Sequence, residues 1–157
     1  MSIKPDTIAI LTEEQKDMLF FIYQEEKVAR DVYTTLSQIH KNESTFALLR
    51  YTEQRHVDCA RELCDKYGVE TSKINEEVVG EFDSPVLQAL YDECTEKGKR
   101  SLLDALEVGE FLEATDIEDL EQASVGMPSD VVEVYNTLKN RNKTQLGAFQ
   151  SAILKAA

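Results

Sequence analysis

Apolar residues recur in alternating steps of three and four along four stretches of the chain, the spacing that lays one buried stripe on each of four helices. The first stripe reads Leu19, Ile22, Glu26, Ala29, Tyr33, Leu36, and the second Phe46, Leu49, Glu53, His56, Ala60, Leu63, Tyr67. The third reads Leu103, Leu106, Glu110, Glu113, Ile117, Leu120, and the fourth Val131, Tyr135, Leu138, Asn142, Gln145, Phe149, Ala152. Every stripe turns polar near its midpoint. In an antiparallel bundle of similar helix lengths, midpoints meet, so Glu26, Glu53, His56, Glu110, Glu113, Asn142 and Gln145 should converge on one interior level.

Helix punctuation sets the boundaries. Thr12 and Gln15 form a capping box ahead of a run from Glu13 to about Ile39 that contains neither Gly nor Pro, roughly 40 Å of helix at about 1.5 Å per residue. Asn42 to Ser44 offer a turn and N-cap for a second helix that ends at Tyr67, with Gly68 placed for a left-handed C-cap. A connection over 68–83 leads to Ser84-Pro85 and a short helix stopping at Gly98. The third long helix opens at Ser101 and Asp104 and extends toward Ala123, unless Thr115-Asp116 with Glu118 breaks it and caps a new turn. Gly126-Met127-Pro128 then precedes a fourth, capped by Ser129 or Asp130, that runs nearly to the C-terminus. No repeat and no strand-like alternation interrupts this pattern, which predicts an all-α fold with residues 1–11 as a tail and 12–157 as a single domain.

Charge and cysteine content narrow the partners. The 157 residues carry a net charge of −13 with no basic block, which argues against nucleic acid and anionic membrane surfaces. Cys59, Cys64 and Cys94 are odd in number and contain no C-x-x-C, so they read as reduced thiols filling core space in a cytoplasmic protein. The apolar run Ile8 to Leu11 is too short for a signal-peptide core, and no segment is long enough to span a membrane.

Carboxylates packed at one interior level cost several kcal/mol each or stay protonated unless a cation joins them. A bound metal supplies that charge. A lone Glu on a helix stripe is usually a surface residue, and one Glu-x-x-His pair arises by chance in acidic helices; Glu25, Glu62 and Glu107 lie just off the stripes drawn above. The shared level across three helices, with an amide pair in the fourth, favours a metal site. Tyr33 lies two turns beyond Glu26 as a donor to the ligands, a redox-active phenol, or a core tyrosine. Arg30 pairs with Glu26 or with surface acids, and Asp116 caps a turn in preference to joining the site. Cys59 falls beside the stripe, and His40 sits exposed in the first turn.

Glu26-Lys-Val-Ala29-Arg30-Asp-Val-Tyr33 resembles the first-helix motif E-x-x-A-R-x-x-Y of rubrerythrin-type ferritin-like proteins. Glu53-Gln-Arg-His56 resembles their second-helix E-x-x-H, and Val108-Gly109-Glu110-Phe-Leu-Glu113 their third-helix G-E-x-x-E. The pieces Glu25 to Tyr33, Glu53 to Tyr67, Leu87 to Glu93 and Glu113 to Leu120 more closely resemble an uncharacterised prokaryotic ferritin-like family, domain of unknown function 2202. The resemblance implies a ferritin-like antiparallel four-helix bundle whose long crossover between the second and third long helices contains the extra short helix. It also implies a carboxylate-rich site for iron, or for manganese or zinc, with oxygen- or peroxide-linked redox or iron oxidation as its chemistry, and no known reaction. One departure matters: Asn142-Lys-Thr-Gln145 replaces the fourth-helix E-x-x-H, and amides are weaker ligands. The expected inventory is therefore one firm metal position held by Glu26, Glu53, His56 and Glu113 or Glu110, and a second that is weak or empty. A separate electron-transfer protein would be needed, since no cysteine-paired rubredoxin segment is present; a homodimer is allowed. The competing class is a helical scaffold or oligomerisation module with a partly decayed site.

Overall fold

A computed structural model describes residues 8–156, in which five helices and no strands form a helical bundle. The helices are α1 (Glu13–Ile39), α2 (Ser44–Lys66), α3 (Pro85–Gly98), α4 (Leu102–Ser124) and α5 (Ser129–Ala156). Of the tail expected over 1–11, residues 1–7 lie outside the described residues, while Leu11 is already buried against the bundle. No helix among the described residues is long and apolar enough to cross a membrane.

The caps act largely as the residue types predict. Thr12 accepts from the Gln15 amide while the Gln15 side chain accepts from Thr12, closing the capping box of α1. Gly68 takes φ +70° after α2, and the Val69 amide returns to the Cys64 carbonyl at 2.8 Å. Ser84 caps α3 with Pro85 in its first turn. One open point is closed and two expectations are corrected. Helix α4 is continuous through Thr115-Asp116, which the pattern left open, and Asp116 is buried in the bundle instead of turning back to cap. Neither Ser129 nor Asp130 precedes α5; both lie inside it, and the Asp130 carboxylate receives Lys66 Nζ and the Tyr67 hydroxyl from the end of α2, each at 2.6 Å.

Helices α1 and α2 pack as one pair and α4 and α5 as another, and the pairs meet along α1 with α4 and α2 with α5. The apolar interior is in two pieces. Leu19, Ile22, Val57, Leu63, Leu120, Val131, Tyr135 and Leu138 fill one end, and Val28, Val32, Leu36, Phe46, Leu106, Leu112 and Phe149 the other. Between them lies a layer of buried polar side chains.

The 67–84 crossover is strapped to α1 by a buried ion pair that the sequence pattern did not single out. Lys27 Nζ donates to Asp31 Oδ2 at 2.7 Å and to the carbonyls of Val78 and Glu81 at 2.8 and 3.1 Å. Asp31 also accepts from the Gly80 amide at 3.0 Å, so no polar atom of this pair's strap needs water. Arg30 joins Asp31, Gln54 and the Glu76 carbonyl, not Glu26. His40 is partly buried, with its Nε2 2.7 Å from the Gly98 carbonyl, so it fastens the end of α3 and does not stand free in solvent.

Gly109 of α4 explains how α4 and α5 approach. A Cβ added there would meet the Phe149 ring at 2.2 Å, and Phe149 is wedged between Tyr33 and Phe46 at ring-centroid distances of 5.5 and 5.8 Å. Gly147 has open space at the same test. Gly109→Ala should therefore destabilise the protein by about 1–3 kcal/mol through overpacking, while Gly147→Ala should raise stability by up to about 1 kcal/mol through helix propensity. Urea unfolding of the two variants checks both signs; equal midpoints would refute the close-packing argument.

Candidate metal centre

Three of the four long helices each bring acid to the polar layer. Glu26 comes from the middle of α1, Glu53 and His56 from α2, and Glu113 from α4; all four are at most 1 % exposed. The three-residue spacing of Glu53 and His56 puts both on one face of α2, one turn apart. His56 Nδ1 lies 3.3 Å from Glu26 Oε2 and 3.2 Å from Glu53 Oε2. One donor atom from each of Glu26, Glu53 and His56 falls within 4.8 Å of the others, so this buried carboxylate-histidine group is able to bind a metal ion.

The way these atoms are left over tests that fit. Glu26 Oε2, Glu53 Oε2, Glu113 Oε2 and both ring nitrogens of His56 are buried without a hydrogen-bond partner. The separations are those of an ion pair without hydrogen-bond geometry. Two neighbours fix the carboxylates by their other oxygen. Tyr33 donates its hydroxyl to Glu113 Oε1 at 2.7 Å, and Gln145 Nε2 donates to Glu53 Oε1 at 3.1 Å. Glu53 and Glu113 are thus each held at one oxygen and bare at the other, the arrangement a ligand atom needs. The donor set of carboxylates and an imidazole suits iron, manganese or zinc.

Electrostatics in the absence of a cation follow from burial. Burial and the charge of Glu53 raise the Glu26 carboxyl to about 7 against the opposing pull of His56. Burial alone would lower the His56 imidazole, but Glu53 and Glu26 beside it push it up to about 11. Burial also drives Glu113, Asp116 and Glu25 well above the usual carboxylate range, with neighbouring carboxylates adding to it in each case. Burial and Glu113 likewise keep the Tyr33 phenol protonated and donating.

Asn142 and Gln145 occupy the same layer from α5, 0 % and 4 % exposed; both polar atoms of Asn142 and the Oε1 of Gln145 lack partners. Glu110 does not converge with the group. It is only partly buried and takes no part in the layer's hydrogen bonds or close ion pairs. The reason is rotation of α4: its buried face runs Leu106, Gly109, Glu113, Asp116, Leu120, Ala123, so Gly109 and Asp116 stand where the stripe had Glu110 and Ile117, and Leu103 is 38 % exposed. Glu25 and Asp116 were not expected here. The adjacent acids Glu25-Glu26 and the continued three-residue step from Glu113 to Asp116 were the available signals. An open hollow of about 650 Å³ beside Arg30, Arg50, Tyr51 and Glu76 is lined by none of these side chains.

The sequence profile of a family described as an uncharacterized protein domain (DUF2202) matches residues 15–156. The chain belongs to the DUF2202 family. It is similar to the uncharacterized protein MJ0754 of Methanocaldococcus jannaschii, 35% identical over 140 residues that cover 88% of this chain and 75% of that protein. The crystal structure of the hypothetical protein MJ0754 from Methanococcus jannaschii superposes with a TM-score of 0.90 at 33% identity, covering 96% of this chain and 85% of that one. Neither name carries an activity, so function rests on the site.

The raised groups set a pH dependence for this DUF2202 protein when it is stripped of metal. Glu26, raised from 4.5 to about 7, contributes stability that is fully present below 4.5 and lost as pH rises through 7. His56, raised from 6.5 to about 11, contributes stability present below 6.5 and lost on the way to 11. Both lose in the same direction between pH 5.5 and 8, each with a slope of up to about 1.4 kcal/mol per pH unit. Chelated protein should therefore unfold at higher denaturant at pH 5.5 than at pH 8, and added Zn²⁺ should recover stability at pH 8. A chelated protein that is more stable at pH 8 would contradict this electrostatic picture.

Proposed function

We propose that this chain is a ferritin-like metal-binding protein that holds iron, with manganese or zinc as lesser occupants, through Glu26, Glu53, His56 and Glu113 in the bundle interior. The observation that carries the proposal is the buried group of Glu26, Glu53 and His56 from two helices, whose donor atoms lie within 4.8 Å of one another without hydrogen bonds, with the bare Glu113 Oε2 of a third helix beside Glu53. When bound, iron would supply electron exchange with oxygen or peroxide, or would itself be the species oxidised. The chain's own residues provide the setting. Tyr33 and Gln145 orient Glu113 and Glu53, the apolar clusters at both ends exclude bulk water, and burial of the four donors restricts access to small species. Electrons would come from a separate protein.

The α5 side supports only a weak second position in this reading, since Asn142 and Gln145 offer amides and Gln145 Nε2 already serves Glu53. That same observation favours a second reading, a helical scaffold in which the site has partly decayed. Metal content separates them. Glu53→Ala or His56→Ala should lower tightly bound metal at least about tenfold, by loss of a ligand, while Glu62→Ala on the exposed face of α2 should change nothing. Elemental analysis of protein purified without chelator reads this directly, and equal metal in wild type and both site variants would leave the scaffold reading standing. Occupancy should also fall as pH drops, because the ligands must lose protons to bind.

A gain-of-ligand variant tests the asymmetry. Gln145→His supplies an imidazole of similar size where α5 now offers an amide, so anaerobic ferrous titration should move from about one equivalent per chain toward two. Two tightly held ions already present in the wild type would show that the α5 side is not deficient.

A further inference from the structure

The acidic layer continues past Glu26 and Glu113 into the interface of α1 with α4. Glu25 is 2 % exposed and Asp116 1 %. Glu25 comes within hydrogen-bonding reach of Asp116 and of Asp119, which follows Asp116 at the three-residue spacing of one α4 face. Among the described residues, Glu26, Glu53 and His56 are the one set of three whose donor atoms all lie within 4.8 Å of one another, so Glu25, Asp116 and Asp119 make a separate and looser cluster. Glu25 Oε1 and Asp116 Oδ2 are buried and have no hydrogen-bond partner. Among the described residues no Lys, Arg or His forms an ion pair with Glu25, Asp116 or Asp119. Two acids therefore face each other across two helices with nothing positive between them, and an orphaned oxygen remains on each.

We propose that Glu25, Asp116 and Asp119 form a second cation site, built from oxygen alone, for a hard divalent ion of the Mn²⁺ or Mg²⁺ class. The donor chemistry selects the ion: with no imidazole and no thiolate, the set lacks what draws zinc or copper, and carboxylate oxygens suit Mg²⁺ and Mn²⁺. Asp119 is only partly buried, which gives the cluster a route to solvent and lets an ion keep some of its waters, as small hard cations require. The cluster is more open than the Glu26, Glu53 and His56 group, consistent with a partly hydrated ion. Its existence does not depend on which metal, if any, the imidazole site takes.

The test uses the full chain, stripped with chelator and then given one equivalent of Zn²⁺ to fill the site that contains His56. Mn²⁺ is titrated next, and the electron paramagnetic resonance signal of the free aqueous ion reports uptake. The zinc-loaded wild type should take up one further Mn²⁺ per chain, and Mg²⁺ should compete for it. The double variant Glu25→Gln, Asp116→Asn should lose that equivalent while keeping its zinc; it removes buried repulsion, and retained zinc with an unchanged circular dichroism spectrum reports the fold. Asp119→Asn, at a partly exposed position, should weaken Mn²⁺ by about tenfold. No Mn²⁺ uptake by zinc-loaded wild type would overturn the proposal and leave Glu25 and Asp116 as a proton-sharing pair. The same uptake by the double variant, or unchanged affinity in Asp119→Asn, would overturn it equally. Unchanged zinc binding in Glu53→Ala with the Mn²⁺ equivalent intact would fault the imidazole site alone.

Discussion

Five buried carboxyl side chains, Glu25, Glu26, Glu53, Glu113 and Asp116, share the bundle interior with one imidazole, His56. Each charge kept there costs free energy that a well-packed apolar residue would not, and replacing buried ionic groups by apolar ones often stabilises a fold. The layer divides what would otherwise be a continuous core into two clusters. A chain that gives up the middle of its core in this way is violating a packing rule where function commonly demands it. The rest of the architecture bears the consequences. Helix ends must be well capped and the apolar ends well filled, because the centre contributes little until a cation neutralises it.

The residues around the layer reduce the freedom of its acids. Tyr33 and Gln145 each hold one oxygen of a glutamate, so the second oxygen is presented in a fixed place and little ordering remains when an ion arrives. Helix α1 is itself pinned from outside. The Lys27 and Asp31 pair ties α1 to the crossover through Val78, Gly80 and Glu81, and Gln24 Oε1 accepts the amides of Asp83 and Ser84, both at 3.0 Å. Glu25 and Glu26 sit between these anchors in sequence. The strap thus sets the rotation of α1 that turns one glutamate toward α2 and its neighbour toward α4.

The stripes of α1, α2 and α5 were legible because every position in them is either clearly apolar or clearly out of place. Leu19, Ile22, Glu26, Ala29, Tyr33 and Leu36 are all buried, as are Val131, Tyr135, Leu138, Asn142, Gln145 and Phe149. Helix α4 was not legible in the same way. Its buried face uses Gly109, which has no hydropathy of its own and whose reason is a ring forty residues away, and Asp116, which follows Thr115 in a pattern typical of a cap. With Leu103 and Ile117 available as decoys, the stripe was drawn about one residue out of phase, and Glu110 was carried into it. Lys27 and Asp31 look like an ordinary surface pair at four-residue spacing. Only packing of the crossover buries them, and local sequence does not encode that.

The polar layer is also unequal from side to side, and the inequality has a direction. Helix α5 contributes amides, whereas α1 and α4 each contribute two buried acids at successive or three-residue spacing. Negative charge is therefore displaced away from α5 and toward the α1 and α4 interface. On the proposed reading, a hard cation entering the layer would be drawn to that side of Glu113, and the imidazole on α2 would draw a softer ion to the other. Because Glu25 and Glu26 are consecutive residues of one rigid helical turn, any small rotation of α1 that tightens one oxygen cluster moves the other. The two sides of the layer are then coupled by backbone geometry as well as by charge.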